Sequence, residues 1–271
     1  VFVGICVSII NVMLPIWVKR NGGEHAGRIT GVYVSMMSVL TSVALVIAAP
    51  LAHLTSLSWR LALLPWGVVA LISAAWWQRY SKKHASSEPV EESSSSVRMF
   101  MHSKLAWQIV LVFGLQSMNA YAARAWIPAI MVDKGFTMAQ AGTTIAIAGL
   151  IGAALAFSVP HIAQRSNDQR LIIWLIALFG FGTYLMVAYG NHWMVAVGAA
   201  GTNIVQWLLY PLSLLLIILR SSNQAHAQSL SSMVQGFGYI LGGIAPLLTG
   251  YFFDLTGAWN VSLWFMALMS F

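Results

Sequence analysis

Charged residues are scarce in this chain of 271 residues: they make up 8% of it, whereas hydrophobic residues make up 59%. A soluble domain has roughly 25% charged residues, so the composition excludes an ordinary soluble domain, and it excludes disordered and collagen-like chains as well. A net charge of +7 would suggest nucleic acid in a soluble protein, but no nucleic-acid partner is expected for so apolar a chain. The class that remains is an all-α protein that crosses a lipid bilayer several times.

Reactive and metal-binding side chains are also few. Cys6 is the only cysteine, which excludes a disulfide framework and a thiolate metal site. No predicted span has Asp or Glu in its middle, so this chain offers no obvious proton relay. No nucleophile–base pair and no His/Asp cluster occurs at helical spacing. The sequence therefore predicts no catalytic residue, no metal site and no cofactor, and we do not expect an enzyme.

Long apolar runs fill most of the chain. A bilayer core about 30 Å thick needs roughly 20 apolar residues per helix. Runs of about this length are 1–18, 29–54, 59–77, 105–132, 138–163, 171–189, 193–219 and 230–253. A ninth run, 259–271, is too short to cross. We therefore expect about eight full transmembrane helices plus part of a ninth, with both ends of the natural protein missing.

Positive charges are concentrated in alternate loops. Of the 14 Lys and Arg residues, only Arg60, Lys134 and Arg124 lie elsewhere. Because short cytoplasmic loops are enriched in Lys and Arg, we expect these alternate loops to be cytoplasmic. One of them, residues 78–104, includes a Ser-rich polar tract that cannot form a packed core. We interpret it as a flexible linker between two helical bundles; a phosphorylated regulatory segment is the alternative.

An internal repeat relates the segment before the linker to the end of the chain. The triplet Ala-Pro-Leu occurs at residues 49–51 and again at 245–247, with the same expected membrane direction. Parallel repeats joined by a long cytoplasmic linker are typical of major facilitator transporters, in which two pseudo-symmetric halves have six helices each. The predicted domains are residues 1–77, the last three helices of the first half; the linker, 78–104; and residues 105–271, the second half with an incomplete last helix.

Several stretches of the chain together form a recognisable pattern. They are NVMLPIWVKR at 11–20, LAWQ at 105–108 with GLQS at 114–117, WIPAI at 126–130, DQR at 168–170, and LSSMVQGFGY at 230–239. With these motifs the chain resembles the cyanate/2-nitroimidazole permease family of the major facilitator superfamily. The resemblance implies a bundle of twelve helices, of which this chain covers about helices 4–12. It also implies a place in the bacterial inner membrane and transport of a small solute by alternating access.

Arg124 is the main candidate for a substrate-binding residue. It lies inside the run 105–132, roughly 13 Å along the helix from Asp133. An arginine at mid-membrane costs roughly 2.5–3.5 kcal/mol on insertion scales, and such residues usually face a bundle interior or a water-filled cavity. We expect Arg124 to bind the negative end of a solute; snorkelling to the outer headgroups or capping of helix carbonyls are the structural alternatives.

Other polar and aromatic residues inside the spans are expected to complete the site. Tyr121 could form an aromatic wall beside Arg124, and Tyr210 continues a polar face of its own helix. For the amide side chains among them, hydrogen bonds between helices are the structural alternative. The further candidates for substrate binding are Gln116, Asn119, Asn203, Gln206 and Asn11.

A short charged loop is the candidate for a gate. Arg165, Asp168 and Arg170 lie in an expected cytoplasmic loop, which resembles a reduced version of the major facilitator gating motif. Simple anchoring by the two arginines is the alternative.

The predicted function is that of a secondary transporter for a small anionic or polar solute, cyanate-like or nitroimidazole-like. A nitroimidazole would stack on aromatic rings, for which Trp126 and Trp207 are available besides the tyrosines. The alternative is a sensor or binding protein that keeps the transporter fold without transport. We expect a multi-pass monomer in the lipid bilayer, with a small molecule as its partner. Substrate identity, transport direction and coupling ion stay open.

Overall fold

The computed structural model describes residues 2–53, 59–83, 97–166 and 168–270, and no strand occurs among them. Most of the predicted linker's Ser-rich tract lies outside the described residues. Each long helix coincides with one predicted apolar run, so the all-α class is confirmed. The helices are α1 (Phe2–Gly22), α2 (Ala26–His53), α3 (Trp59–Lys83), α4 (Val97–Phe100), α5 (Lys104–Asp133), α6 (Met138–Arg165), α7 (Arg170–Tyr189), α8 (His192–Leu219), α9 (Gln224–Thr256) and α10 (Trp259–Leu268).

Capping residues mark the starts of α9 and α6. In α9 the cap lies before the predicted apolar run, which begins at residue 230. α9 starts several residues before 230, because the Asn223 side chain accepts a hydrogen bond from the His226 N–H and stabilises a polar first turn. At the start of α6, Thr137 and Gln140 form a capping box. The polar first turn of α9 extends that helix without adding to the apolar signal, whereas α6 begins where its apolar run begins.

Four of the described helices are long and apolar enough to cross a membrane, by length and composition: α6, α7, α8 and α9. α10 is a shorter apolar helix of 10 residues. Large hydrophobic side chains such as Trp193, Leu171 and Leu247 are exposed on the outside of the bundle. Apolar side chains in such positions suit contact with lipid rather than water, in agreement with a multi-pass membrane protein.

Two close helix pairs organise the bundle: α5 packs along α9, and α2 packs along α6. α8 contacts α2, α5, α6 and α7, and α10 contacts α7 and α9. Glycine permits the closest approach of α2 and α6, because a Cβ atom on Gly31 would lie 2.6 Å from the carbonyl oxygen of Phe157. The two close pairs and α8 surround the centre of the bundle.

Hydrogen bonds join α2 to α6 along one line, which we call the α2–α6 seam. The Ser35 hydroxyl donates to the carbonyl oxygen of Ala153 at 2.6 Å, and the Ser38 hydroxyl donates to that of Gly149 at 2.5 Å. Ser38 is fully buried. Both bonds run from a side chain of α2 to the backbone of α6, so they require the two helices to stay in contact.

Gln164 extends the seam to one end of the bundle. Its Nε2 donates to the carbonyl oxygen of Glu24 at 2.6 Å, and its Oε1 accepts from the backbone N–H of Gly27 at 2.6 Å. These contacts lie at the end of the bundle where α3 ends and α5 begins, which we call the linker end. The seam therefore closes the space between α2 and α6 on the side of the linker end.

Candidate functional site

A cavity of about 240 Å³ lies among α2, α5, α6 and α8, beyond the seam as seen from the linker end. Most of its wall is apolar, and one side chain in it is charged. The lining residues are Thr41, Ala123, Arg124, Ile127, Pro128, Ile145, Ala199, Thr202, Asn203, Gln206 and Trp207. A cavity with apolar walls and a few polar groups is typical of small-molecule sites.

Arg124 is the charged residue in this wall, and aromatic rings hold its guanidinium group. The Arg124 Cζ lies 5.9 Å from the ring centroid of Tyr121 and 6.0 Å from that of Trp207. Cation–π contacts of this kind are worth roughly 0.5–2 kcal/mol. Within the described residues, Arg124 has no hydrogen bond and no ion pair from its side chain. Its donors are therefore available to a ligand.

No carboxylate of the described chain balances this charge. The acidic residues in the described segments are Glu24, Asp133, Asp168 and Asp254, and none of them lines the cavity. A positive charge in apolar surroundings is stabilised by an opposite charge or dipole far more than it would be in water. The cavity is therefore suited to an anion or to the negative end of a strong dipole.

Trp207 is positioned by its neighbours on α8 and α6. Its Nε1 donates to the Asn203 Oδ1 at 3.1 Å, and a Cβ atom on Gly152 would lie 2.7 Å from its ring. Gly152 therefore makes room for the indole that contacts Arg124. Gln206 also faces the cavity, and its side chain has no hydrogen bond to any described residue. Its amide, like the Arg124 guanidinium, is free to bind a solute.

A cluster of tyrosines lies beside the cavity. Tyr121 contacts both Arg124 and Tyr239, whose ring centroid is 6.3 Å from its own. Tyr210 interacts with Tyr239 through their hydroxyls. Tyr33 of α2 packs against the same group, and its buried hydroxyl has no partner among the described residues. Tyr33 and Tyr239 were not among the predicted site residues, because nothing in their local sequence distinguishes them from other core aromatics.

The structure places three predicted site residues neither in the cavity wall nor beside it. Asn119 is buried between helices: it donates to the Met266 carbonyl and the Ser270 hydroxyl, each at 3.0 Å, and accepts from the Tyr184 hydroxyl. The Gln116 Nε2 donates to the adjacent Ser117. Asn11 is partly buried on α1, and Gln235 donates to its backbone carbonyl. Of the predicted binding residues, the cavity brings together Arg124, Asn203 and Gln206, with Tyr121 and Tyr210 beside it.

Substitution of Asn119 is expected to lower stability, and substitution of Asn203 is expected to weaken ligand binding. Comparison of the two variants distinguishes a packing role from a binding role. Asn119→Ala should lower the free energy of unfolding by roughly 1–3 kcal/mol, because it leaves the buried Tyr184 hydroxyl unpaired. It should leave ligand binding by the folded protein unchanged. Asn203→Ala, in the cavity wall, should weaken ligand binding with a smaller loss of stability. Thermal unfolding with and without ligand measures both; a lost ligand response in folded Asn119→Ala would contradict the structural role.

The predicted gating loop contains one exposed ion pair. The Arg170 Nε lies 3.9 Å from the Asp168 Oδ1, with 86% and 68% of the two side chains exposed. The Asp168 carboxylate also accepts from the backbone N–H of Arg170 at 2.9 Å, at the start of α7. Arg165 is exposed at the end of α6. Surface pairs of this kind contribute little to stability.

Gln169 is a buried residue that was not among the predicted site residues. It connects this loop to the loop that follows α8. The Gln169 Nε2 donates to the carbonyl oxygens of Ala163 and Ser166, and its Oε1 accepts from the Arg220 guanidinium at 3.1 Å. Asp168 and Arg170, the charged neighbours of Gln169, were predicted as gating residues, but the neutral Gln169 makes more hydrogen bonds. No group of three His, Cys, Asp or Glu residues in the described segments could hold a metal ion.

The described helices form an apolar bundle around a solute-sized cavity, and Arg124 is the charged residue in the cavity wall. These features define the class of polytopic membrane proteins with a site for a small solute. Residues 1–243 match the Major Facilitator Superfamily. The chain belongs to that family.

Curated relatives cover almost the whole chain. It is 31% identical over 263 residues to YycB of Bacillus subtilis (strain 168), named an uncharacterized transporter, with 96% of this chain and 65% of the relative aligned. It is also 31% identical over 271 residues to the 2-nitroimidazole transporter of Escherichia coli (strain K12), covering 97% and 67%. The cyanate transport protein CynX of the same organism is 25% identical over 271 residues, covering 98% and 68%. The chain thus spans about two thirds of these relatives' length, and its resemblance to this group is confirmed.

Proposed function

We propose that the whole protein is a secondary transporter, not an enzyme, and that it moves a small anionic or polar solute by alternating access. The observation that supports this most is Arg124, a cation that lies in the wall of a solute-sized cavity and has no ion pair with any described residue. Two relatives are named for transport of 2-nitroimidazole and of cyanate. A solute of one of these two kinds, a small heteroaromatic compound or a compact anion, fits a cavity whose wall has one cation and the indole ring of Trp207.

The cavity offers such a solute three kinds of contact. The Arg124 guanidinium presents several N–H donors in a fixed plane to the negative end of the solute. The Gln206 amide is free, and Asn203 is held in the wall by Trp207. The ring of Trp207, in the wall, is available for stacking with a planar solute, and the ring of Tyr121 lies beside the cavity. Tyr210 lies about one helical turn after Trp207 on α8, toward the linker end.

The α2–α6 seam fits the closed side of an alternating-access cycle. Under this proposal, residues 1–77 belong to one half of the transporter and residues 105–271 to the other, so the seam joins the two halves. Transport requires the seam to open, and the loop of Arg165, Asp168 and Arg170 would take part as a gate. The excess of Lys and Arg in the alternate loops supports a cytoplasmic linker and a bacterial inner-membrane location.

Binding and uptake by the full-length protein test this function. We expect cyanate or a nitroimidazole to raise the thermal unfolding midpoint of the detergent-purified protein, since a ligand of the folded state adds RT ln(1 + [L]/Kd) to its stability. The cation choline should have no effect. The compound that stabilises the protein should then enter proteoliposomes that contain it. Binding without uptake would indicate a sensor, and stabilisation by choline alone would contradict a site built on Arg124.

A further inference from the structure

Pro128 lies four residues after Arg124 on α5, and both residues line the cavity. In an α-helix, each carbonyl accepts a hydrogen bond from the N–H four residues later. Proline has no N–H, so it removes this bond and disturbs the helix locally. The backbone carbonyl of Arg124 consequently lacks its regular helical donor, in a stretch of α5 that lines the cavity.

Hydroxyl groups of neighbouring residues often replace the missing donor in membrane helices. Two threonines line this cavity, and each already donates to its own helix. The Thr41 hydroxyl donates to the Met37 carbonyl at 2.7 Å, and the Thr202 hydroxyl donates to the Ala199 carbonyl at 2.8 Å. No hydrogen bond from a described side chain reaches the Arg124 carbonyl. The Arg124 carbonyl therefore has no side-chain donor among the described residues, and the guanidinium of the same residue has no hydrogen-bond partner among them either.

We propose that Arg124 binds the solute through both of these groups, and that Pro128 is the residue that determines this specificity. The guanidinium would donate to an electron-rich oxygen or nitrogen of the solute, while the carbonyl would accept from a solute N–H or O–H. The preferred substrate class is a small planar solute that has such a donor beside a negative or strongly dipolar group, for example an azole ring with an N–H. A compact anion without a donor leaves the carbonyl unpaired. This inference rests on the proposed function, in which the solute binds at Arg124.

A pair of ligands that differ by one methyl group tests the acceptor directly. The probes are 4-nitroimidazole, which has a ring N–H, and 1-methyl-4-nitroimidazole, which has none. We expect the methylated compound to bind the full-length protein roughly tenfold more weakly or worse, because a buried polar group without a partner is unfavourable. Equal dissociation constants for the two compounds would overturn the inference and leave the proposed function intact. If neither compound nor cyanate binds, both fail.

Substitution of Pro128 assigns the preference to this carbonyl. Pro128→Ala restores an N–H that pairs with the Arg124 carbonyl inside the helix, so the preference for 4-nitroimidazole over its methyl derivative should fall to nearly one. Pro65→Ala removes a proline from the interior of α3, outside the cavity wall, and should keep the full preference. A full preference in Pro128→Ala would overturn the assignment, and the comparison of ligands in the wild type does not depend on how well this variant folds.

Discussion

Replacement of Arg124 by glutamine is expected to weaken solute binding by roughly ten- to a hundredfold. Hydrogen bonds to a charged group are worth roughly 1.5–3 kcal/mol, and no other cation lines the cavity described here. The glutamine keeps some hydrogen-bonding capacity but loses the charge and the planar set of donors. Stability of the unliganded protein should fall by no more than about 2 kcal/mol, the size of the cation–π contacts with Tyr121 and Trp207 that the variant loses.

Arg28→Gln is the matched control for Arg124→Gln. Arg28 is exposed near the start of α2 at the linker end, and the substitution changes the net charge by the same amount without touching the cavity. Dissociation constants and uptake rates should match those of the wild type in the control and fall together in Arg124→Gln. Unchanged ligand binding in Arg124→Gln would mean that the arginine has a structural role only, and the proposal would lose its main support.

A bulky residue at position 31 is expected to open the α2–α6 seam. In Gly31→Leu, the new Cβ would lie 2.6 Å from the carbonyl oxygen of Phe157, which is backbone and cannot rotate away. Overpacking of this kind costs roughly 1–3 kcal/mol, and it acts only on the conformation in which the helices touch. The population with an open linker end should therefore rise roughly ten- to a hundredfold.

Chemical labelling of a cysteine in the seam measures this opening. Ser38 is fully buried, so Ser38→Cys, in a protein whose exposed Cys6 is replaced by serine, should react slowly with a maleimide. Adding Gly31→Leu should increase the labelling rate by a similar factor. Gly67→Leu is the control, because a Cβ atom on Gly67 of α3 meets nothing within 4 Å. Slow labelling in both double variants would show that the seam tolerates the larger side chain.

Helix positions and the special status of Arg124 could be predicted from the sequence, since both depend on local hydrophobicity. Apolar runs indicated the helix bounds to within a few residues, apart from the polar first turns of α9 and the polar last turns of α3, which continue to Lys83. A lone arginine in such a run has few stable locations. The cavity wall contains that arginine, and it contains Asn203 and Gln206 from α8 as well.

The partners of each helix face could not be predicted, because they come from distant parts of the chain. Asn119 lies about 140° around α5 from Arg124, and this angle directs its amide toward α7 and α10 rather than the cavity. Gln164 and Gln169 are neutral residues near helix ends, and only the tertiary fold reveals that each connects two segments. The loss of the regular helical donor of the Arg124 carbonyl follows from Pro128, but the place of this stretch of α5 in the cavity wall follows from the arrangement of four helices.

The buried contacts of Asn119 have a consequence for how the protein is made. During synthesis, α5 enters the bilayer long before α10 exists: Met266 follows Asn119 by 147 residues. Translation at about 5–20 residues per second implies a delay of roughly 7–30 s. Throughout that interval the amide of Asn119 lacks its two acceptors, Met266 on α10 and Ser270 just after it, and in hydrocarbon such a group needs a temporary partner. Insertion of α5 is thus expected to require retention by the translocation machinery, or by an insertase, until the chain's last described helix has arrived.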